Sequence, residues 1–204
     1  MKTLRAKLKE LAEQGSVGAM NLYADFAVEG TGGPQDYSEA MKWWRKSAEM
    51  DSAEGQFNLG LMYLDGEGVP ADGKEGVKWL RLAADKGFAP AASRIAPMAM
   101  MKQNGLEPNS DVRKWLLTAA EAGDALSMMN LGMSYFHEIG GSADYVEAYK
   151  WFTLAMKFGA DQNVIDGRPG LKPKMTAEQI AEAEKRAREW EQSSHVSLKV
   201  TEAH

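Results

Sequence analysis

The 204-residue chain is expected to fold as an all-α solenoid of antiparallel helix pairs, and three observations predict it. Trp43, Trp79, Trp115 and Trp151 stand 36 residues apart, as do Ala24, Gly60, Ala96 and Gly132. Two further columns keep the interval: Gly15, Asp51, Gly87, Gly123 and Gly159, and Asp36, Asp72, Pro108 and Asp144 ahead of each tryptophan. A fixed period of this length marks units that bury an apolar face only by stacking on their neighbours. Within a unit the apolar residues fall at helical spacing.

The second repeat is the clearest copy. Ala53, Gln56, Leu59, Gly60 and Tyr63 define one helix, A, and Gly76, Trp79, Leu80, Ala83 and Ala84 a second, B. Between them Gly66, Glu67, Gly68, Val69 and Pro70 form a turn, because glycine permits positive φ and proline cannot continue a helix. Asp72 with Glu75, repeated as Asp36 with Glu39 and Asp144 with Glu147, has capping-box spacing and starts each B helix. Gly87 and its equivalents sit where a left-handed residue ends a helix.

These residues resemble the Sel-one-like repeat, a relative of the tetratricopeptide repeat, over about residues 4 to 160. Repeat 1 keeps Gly30, Gly32, Asp36, Ala40, Trp43 and Ala48; repeat 4 keeps Ala125, Leu131, Gly132, Tyr135, Asp144, Ala148, Trp151 and Ala155. Repeat 3 departs most, with Ala96 for the glycine, Ala99 for the tyrosine and Lys102 to Leu106 as its turn. The resemblance implies a right-handed superhelix that acts as a protein-protein interaction module. It also implies two alternatives: an enzyme of the family's β-lactamase-like branch, or an immunity or effector-type binding protein.

The remaining elements follow in order. Residues 2–14 align with a B helix and serve as an N-terminal cap, with Lys2, Arg5, Lys7 and Lys9 on a solvated face. Repeats begin near 17, 53, 89 and 125, making 1–160 one solenoid domain. Pro90 suits a first turn, whereas Pro97 should kink or end the A helix of repeat 3. A linker is expected at 161–175 and a capping helix at 176–192, opened by Thr176 and Gln179 and carrying Ile180, Ala183, Ala187 and Trp190 on one stripe. The tail, 193–204, is expected to be disordered.

Composition bounds the function. The net charge of −5 argues against nucleic acid, whose binders concentrate Lys and Arg on one face. Without cysteine there is no disulfide and no thiolate metal site. No apolar run approaches a membrane span, and the charged N-terminus lacks a signal-peptide core, so a cytoplasmic monomer is expected, or a periplasmic or secreted one had a signal been removed. Only His137, His195 and His204 are present, with no metal-ligand spacing, nucleophile elbow or phosphate loop. No catalytic, metal or cofactor residue is therefore assigned, and the chain is not expected to be an enzyme.

The tryptophan column is expected in the core. The side of each A helix turned away from that core carries Glu54, Phe57, Leu61 and Leu64 in repeat 2. The equivalents are Gly18, Asn21, Asp25 and Val28; Pro90, Ser93, Pro97 and Met100; and Leu126, Met129, Met133 and Phe136. In tetratricopeptide-like repeats these positions line a concave groove. Six of the 13 methionines lie between Met98 and Met133, which makes the C-terminal part of this stripe adaptable as well as apolar. The expected partner is a protein or peptide, and its expected contacts are Asn21, Asp25, Phe57, Leu61, Leu64, Met100, Met129, Met133, Phe136 and His137. The closing helix is the alternative occupant of this face.

Overall fold

A computed structural model describes residues 2–160 and 168–194. The expected linker residues 161–167, and the tail beyond Ser194, lie outside the described residues. The described chain is helical throughout: α1 (Lys2–Glu13), α2 (Val17–Glu29), α3 (Tyr37–Glu49), α4 (Ala53–Asp65), α5 (Gly73–Asp85), α6 (Ala89–Met100), α7 (Asp111–Glu121), α8 (Ala125–Phe136), α9 (Tyr145–Lys157), the short α10 (Arg168–Leu171) and α11 (Ala177–Ser193). It divides into two compact units, 1–95 and 96–204, with α6 running across the boundary.

In the first unit each helix packs on the next, α1 on α2, α2 on α3, α3 on α4 and α4 on α5, which is the sequential pairing of a solenoid. The A–B contact is close because small residues face each other there. A methyl added to Gly60 would lie 3.0 Å from the Gly76 carbonyl oxygen, and one on Gly76 would lie 2.8 Å from the Gly60 oxygen. The core gathers Leu8, Met20, Tyr23, Trp43, Trp44, Leu59 and Met62. The second unit pairs α7 with α8, α8 with α9 and α9 with α11 around Trp115, Leu116, Met128, Leu131, Trp151 and Phe152.

The backbone repeats even where the sequence does not. Gly30 and Gly66 have φ of 72° and 74°, and their counterparts Lys102 and Glu138 adopt 54° and 60°. Gly32, Gly68 and Gly140 lie at 73°, 74° and 76°, and Asn104 in the same column at 51°. Asp51, at 68°, likewise stands in a glycine column. Each non-glycine residue held there carries strain on the order of 1 kcal/mol, so the turn is imposed by the stacked helices rather than chosen locally.

Two expectations need correction. The capping box of the B helices forms only halfway. Asp36 and Asp144 accept from the amides of Glu39 and Glu147 at 2.9 and 3.0 Å, but those glutamates accept from the indoles of Trp43 and Trp151, at 2.9 and 3.1 Å, rather than reaching back to the cap. In repeat 2 the corresponding Glu75 pairs with Lys78 at 2.7 Å; Trp79 is only half-buried, and its Nε1 has no hydrogen-bond partner. Trp43, Trp115 and Trp151 are buried as expected. The second correction is the helix end expected at Pro97. Here α6 continues for three residues past it, to Met100, and Met101 N donates to Pro97 O at 3.0 Å. Proline removes its own donor, and the following amides keep theirs.

The closing helix α11 lies on α9. Its capping box is complete, with Gln179 N donating to Thr176 Oγ1 at 3.3 Å and Thr176 N to Gln179 Oε1 at 2.9 Å. Ala183 and Ala187 are buried, Ile180 is half-buried, and Trp190 sits edge-on to Trp151 and Phe158 at 5.7 and 5.8 Å. Arg186 to Glu147 at 3.0 Å and Lys157 to Glu191 at 2.7 Å fasten the pair.

Candidate functional site

The outward stripe of the A helices is not one surface. Its four columns behave differently, and the helix geometry explains why. Residues of the Phe57 column lean toward neighbouring helices: Asn21 and Met129 are buried at 2% and 8% exposure, and half-buried Phe57 packs on Phe88 at 5.5 Å. Residues of the Leu64 column turn toward their own B helix. A methyl on Gly76 would meet Leu64 at 2.8 Å, and Phe136 lies 6.0 Å from Tyr145 of α9. What remains open is the Glu54 column, exposed at Gly18, Glu54, Pro90 and Leu126, and the Leu61 column, half-buried at Asp25, Leu61, Pro97 and Met133.

In the first unit this face is acidic. Asn21, expected as a ligand contact, is spent internally: its Nδ2 donates to Glu54 Oε2 at 2.8 Å and to Ser52 Oγ at 3.2 Å, and its Oδ1 accepts from Ser47 Oγ at 2.6 Å. The bond to Glu54 sets α2 and α4 side by side along the stripe. Asp25 follows Asn21 by one turn. Burial, then the charges of Glu54 and Glu29, push its carboxyl from 3.8 to about 6.

In the second unit the face is apolar. Leu126, at 55% exposure, heads the α8 stripe, and Met133 follows two turns on. The far end is closed, not by α11 but by the segment ahead of it. Leu171 is fully buried, Gly170 approaches the Phe136 ring, and Lys174 Nζ lies 4.9 Å from that ring's centre. His137 is exposed, edge-on to Phe136 at 4.7 Å. Met100, at the end of α6, is half-buried.

Sequence reading misplaced one arginine and passed over another. Arg5, expected on a solvated face, is half-buried and donates to the Pro34 and Thr31 carbonyls at 3.1 and 3.5 Å. Arg113, three periods later, donates to Ser134, Ile139, Gly141 and Ser142 carbonyls at 2.7 to 3.0 Å. The shared column, together with Gly33 and Gly141 at their own matching positions, was the available signal: a methyl on either glycine would fall 2.5 or 2.6 Å from the guanidinium. Among the described residues no group of three or more His, Cys, Asp or Glu could hold a metal, and no helix is long and apolar enough to cross a membrane.

Known proteins place the fold. A protective antigen of uropathogenic Escherichia coli with an SLR fold superposes with a TM-score of 0.73 at 26% identity, over 93% of this chain and 41% of that one. A Sel1 repeat protein from Oxalobacter formigenes gives 0.73 at 24%, over 83% and 49%. The chain thus spans less than half the length of either. The immunity protein Pa5087 of Pseudomonas aeruginosa is a looser likeness, with a TM-score of 0.48 at 16% identity over 96% of this chain and 76% of that one. No curated protein matches the chain. Its residues 17–52, 53–88, 89–124 and 125–156 each match the Sel1 repeat, in register with the helix pairs above, and the chain belongs to the Sel1 repeat family.

Proposed function

We propose that this chain is a protein-binding module whose second unit holds an apolar segment of a partner along Leu126 and Met133 of α8. The observation that carries the reading is Leu126, more than half exposed at the head of a stripe whose other end is closed by Gly170 and Lys174. Leu126 with half-buried Met133 leaves apolar surface open to a partner, and methionine adapts to varied ones. The Sel1 repeat is a scaffold for protein interaction, which supports the coarse reading. The partner is a protein or peptide met by a monomer in the cytoplasm. The acidic balance of the chain disfavours nucleic acid, and no cofactor or catalytic group is invoked.

The test is affinity capture from the native host with wild-type protein and with a Leu126→Gln, Met133→Gln variant, followed by titration of the captured partner. Both positions carry solvent exposure, so the melt should stay within ~0.5 kcal/mol of wild type. Affinity should fall at least tenfold, the scale for anchors at an interface centre. A variant that binds as tightly as wild type overturns the reading.

A further inference from the structure

Arg5 and Arg113 stand in the same column, yet the two guanidinium groups are used unequally. Arg113 spends Nε on the Ile139 carbonyl and Nη2 on those of Ser134, Gly141 and Ser142. Arg5 makes both of its bonds, to Thr31 and Pro34, through Nη1 alone. Its Nε–H and the two protons of Nη2 therefore meet no acceptor among the described residues. The rings behind them differ too. Arg113 lies 4.3 Å over Tyr135, but that column holds Ala27 in repeat 1, and the Arg5 guanidinium sits 5.6 Å over Tyr23 instead.

Arg5 opens onto a cleft of about 320 Å³ whose other walls are Ala6, Lys9, Tyr23 and the turn from Gly32 to Pro34. Two further donors there are uncommitted. Lys9 Nζ is held loosely, 3.9 Å from Glu39, whose carboxylate already meets Lys42 at 3.6 Å and accepts from the Trp43 indole at 2.9 Å. Tyr23 is only 6% exposed, and its hydroxyl makes no hydrogen bond among the described residues. A buried hydroxyl left without a partner is costly, so an acceptor supplied from outside the fold would be rewarded.

We propose that this cleft binds a carboxylate, carried by a small acid or by an acidic side chain of a partner, with Arg5, Lys9 and Tyr23 as its donors. A planar guanidinium presents Nε and Nη2 side by side, an edge that two carboxylate oxygens match. Lys9 adds charge, and the Tyr23 hydroxyl adds a hydrogen bond. Ala6, Pro34 and the Tyr23 ring offer apolar contact to the body that bears the carboxylate. The volume is at the small end for ligand clefts, and the Glu39 charge beside Lys9 disfavours a phosphate dianion. The site lies wholly within the first unit and is separate from the Leu126 stripe.

The test is an NMR titration of isotope-labelled full-length protein with sodium benzoate at constant ionic strength, with benzamide as the uncharged isostere and inorganic phosphate as the other anion. Benzoate should give saturable shifts of the Gly32 and Gly33 amides with Kd on the order of 1 mM or tighter, and benzamide none. Phosphate should bind more weakly than benzoate. Tyr23→Phe removes only an unpartnered hydroxyl, so its melt should match wild type while benzoate affinity falls roughly tenfold, the scale of a hydrogen bond to a charged group. Lys9→Gln, at an exposed position, should lose roughly threefold with an unchanged melt. An acetylated and amidated Gly-Glu-Gly peptide separates the sources. Binding tighter than benzoate assigns the carboxylate to a partner's side chain, weaker binding assigns it to a free acid, and either upholds the site. Absence of saturation by ~20 mM benzoate, equal binding of benzamide, tighter binding of phosphate, or normal binding by both variants would each overturn the proposal.

Discussion

Helices α2 and α8 occupy the same place in repeats 1 and 4, yet their outward columns carry opposite chemistry. Gly18, Asn21 and Asp25 stand where α8 has Leu126, Met129 and Met133. At the middle position both side chains are buried, one satisfied by three polar partners and the other by apolar contact. Between repeats 1 and 4 the residue at this position decides only how burial is satisfied. Ligand-facing character is left to the two open columns, acidic in the first unit and apolar in the second.

The largest expected effect asks whether the two units rest equally on their tryptophans. Trp115→Ala should cost about 3 to 5 kcal/mol, as for an aromatic truncated in a core. Trp79, half-buried and with its indole N–H unpaired, should cost only ~1 to 2 kcal/mol on truncation, the common range for point mutants. Denaturant melts decide it, and equal losses would erase the distinction. Next comes the exchange of Asn21→Met and Met129→Asn. Each strands a buried polar group, Ser47 Oγ in the first case and the new amide in the second, for about 1 to 3 kcal/mol. Neutral exchanges in urea melts would mean that the column tolerates either chemistry.

A smaller effect sharpens the acidic side. The folded state holds the Asp25 proton more tightly than the unfolded chain, because its carboxyl is raised from 3.8 to about 6. Stability from this group is complete below the unfolded pKa and is lost as pH rises through about 6. At pH 7 the charged Asp25 thus destabilises the fold, and Asp25→Asn should stabilise it by ~1 to 2 kcal/mol after allowing for partial exposure. The gain should vanish near pH 4, which paired melts at the two pH values would reveal. The smallest effect is on the apolar side: Met133→Gln alone should move stability by less than ~0.5 kcal/mol, unlike Met129→Asn.

The repeat, its register and the capping role of α11 were legible because each rests on residues at fixed intervals, such as the Trp column and the Thr176–Gln179 pair. The open columns were not separable by angle alone. Phe57, Leu64 and Met129 share a stripe with Leu126 and Met133, but which of them leans on a neighbour depends on how closely Gly60 and Gly76 let the helices approach. The same holds for Phe136, whose cover comes from Gly170 and Lys174, more than 30 residues away and outside any period. Left-handed Lys102 and Glu138 carry no local sign of their conformation, and only the glycines one or two periods earlier announce it.

The guanidinium grips have a consequence for how the chain tolerates length variation. Arg113 spans three carbonyls of the turn ahead of α9 and one near the end of α8, and Arg5 two in the turn ahead of α3, so one extra residue in either turn would move acceptors out of reach of a rigid fork. In the column of these arginines, the helix that precedes the second repeat's turn carries Met41, which has no donor to lose. The turns ahead of α3 and α9 therefore hold, through these grips, the count of residues on which the period depends, whereas the turns that follow Met41 and Val77 in the same column have no such fork.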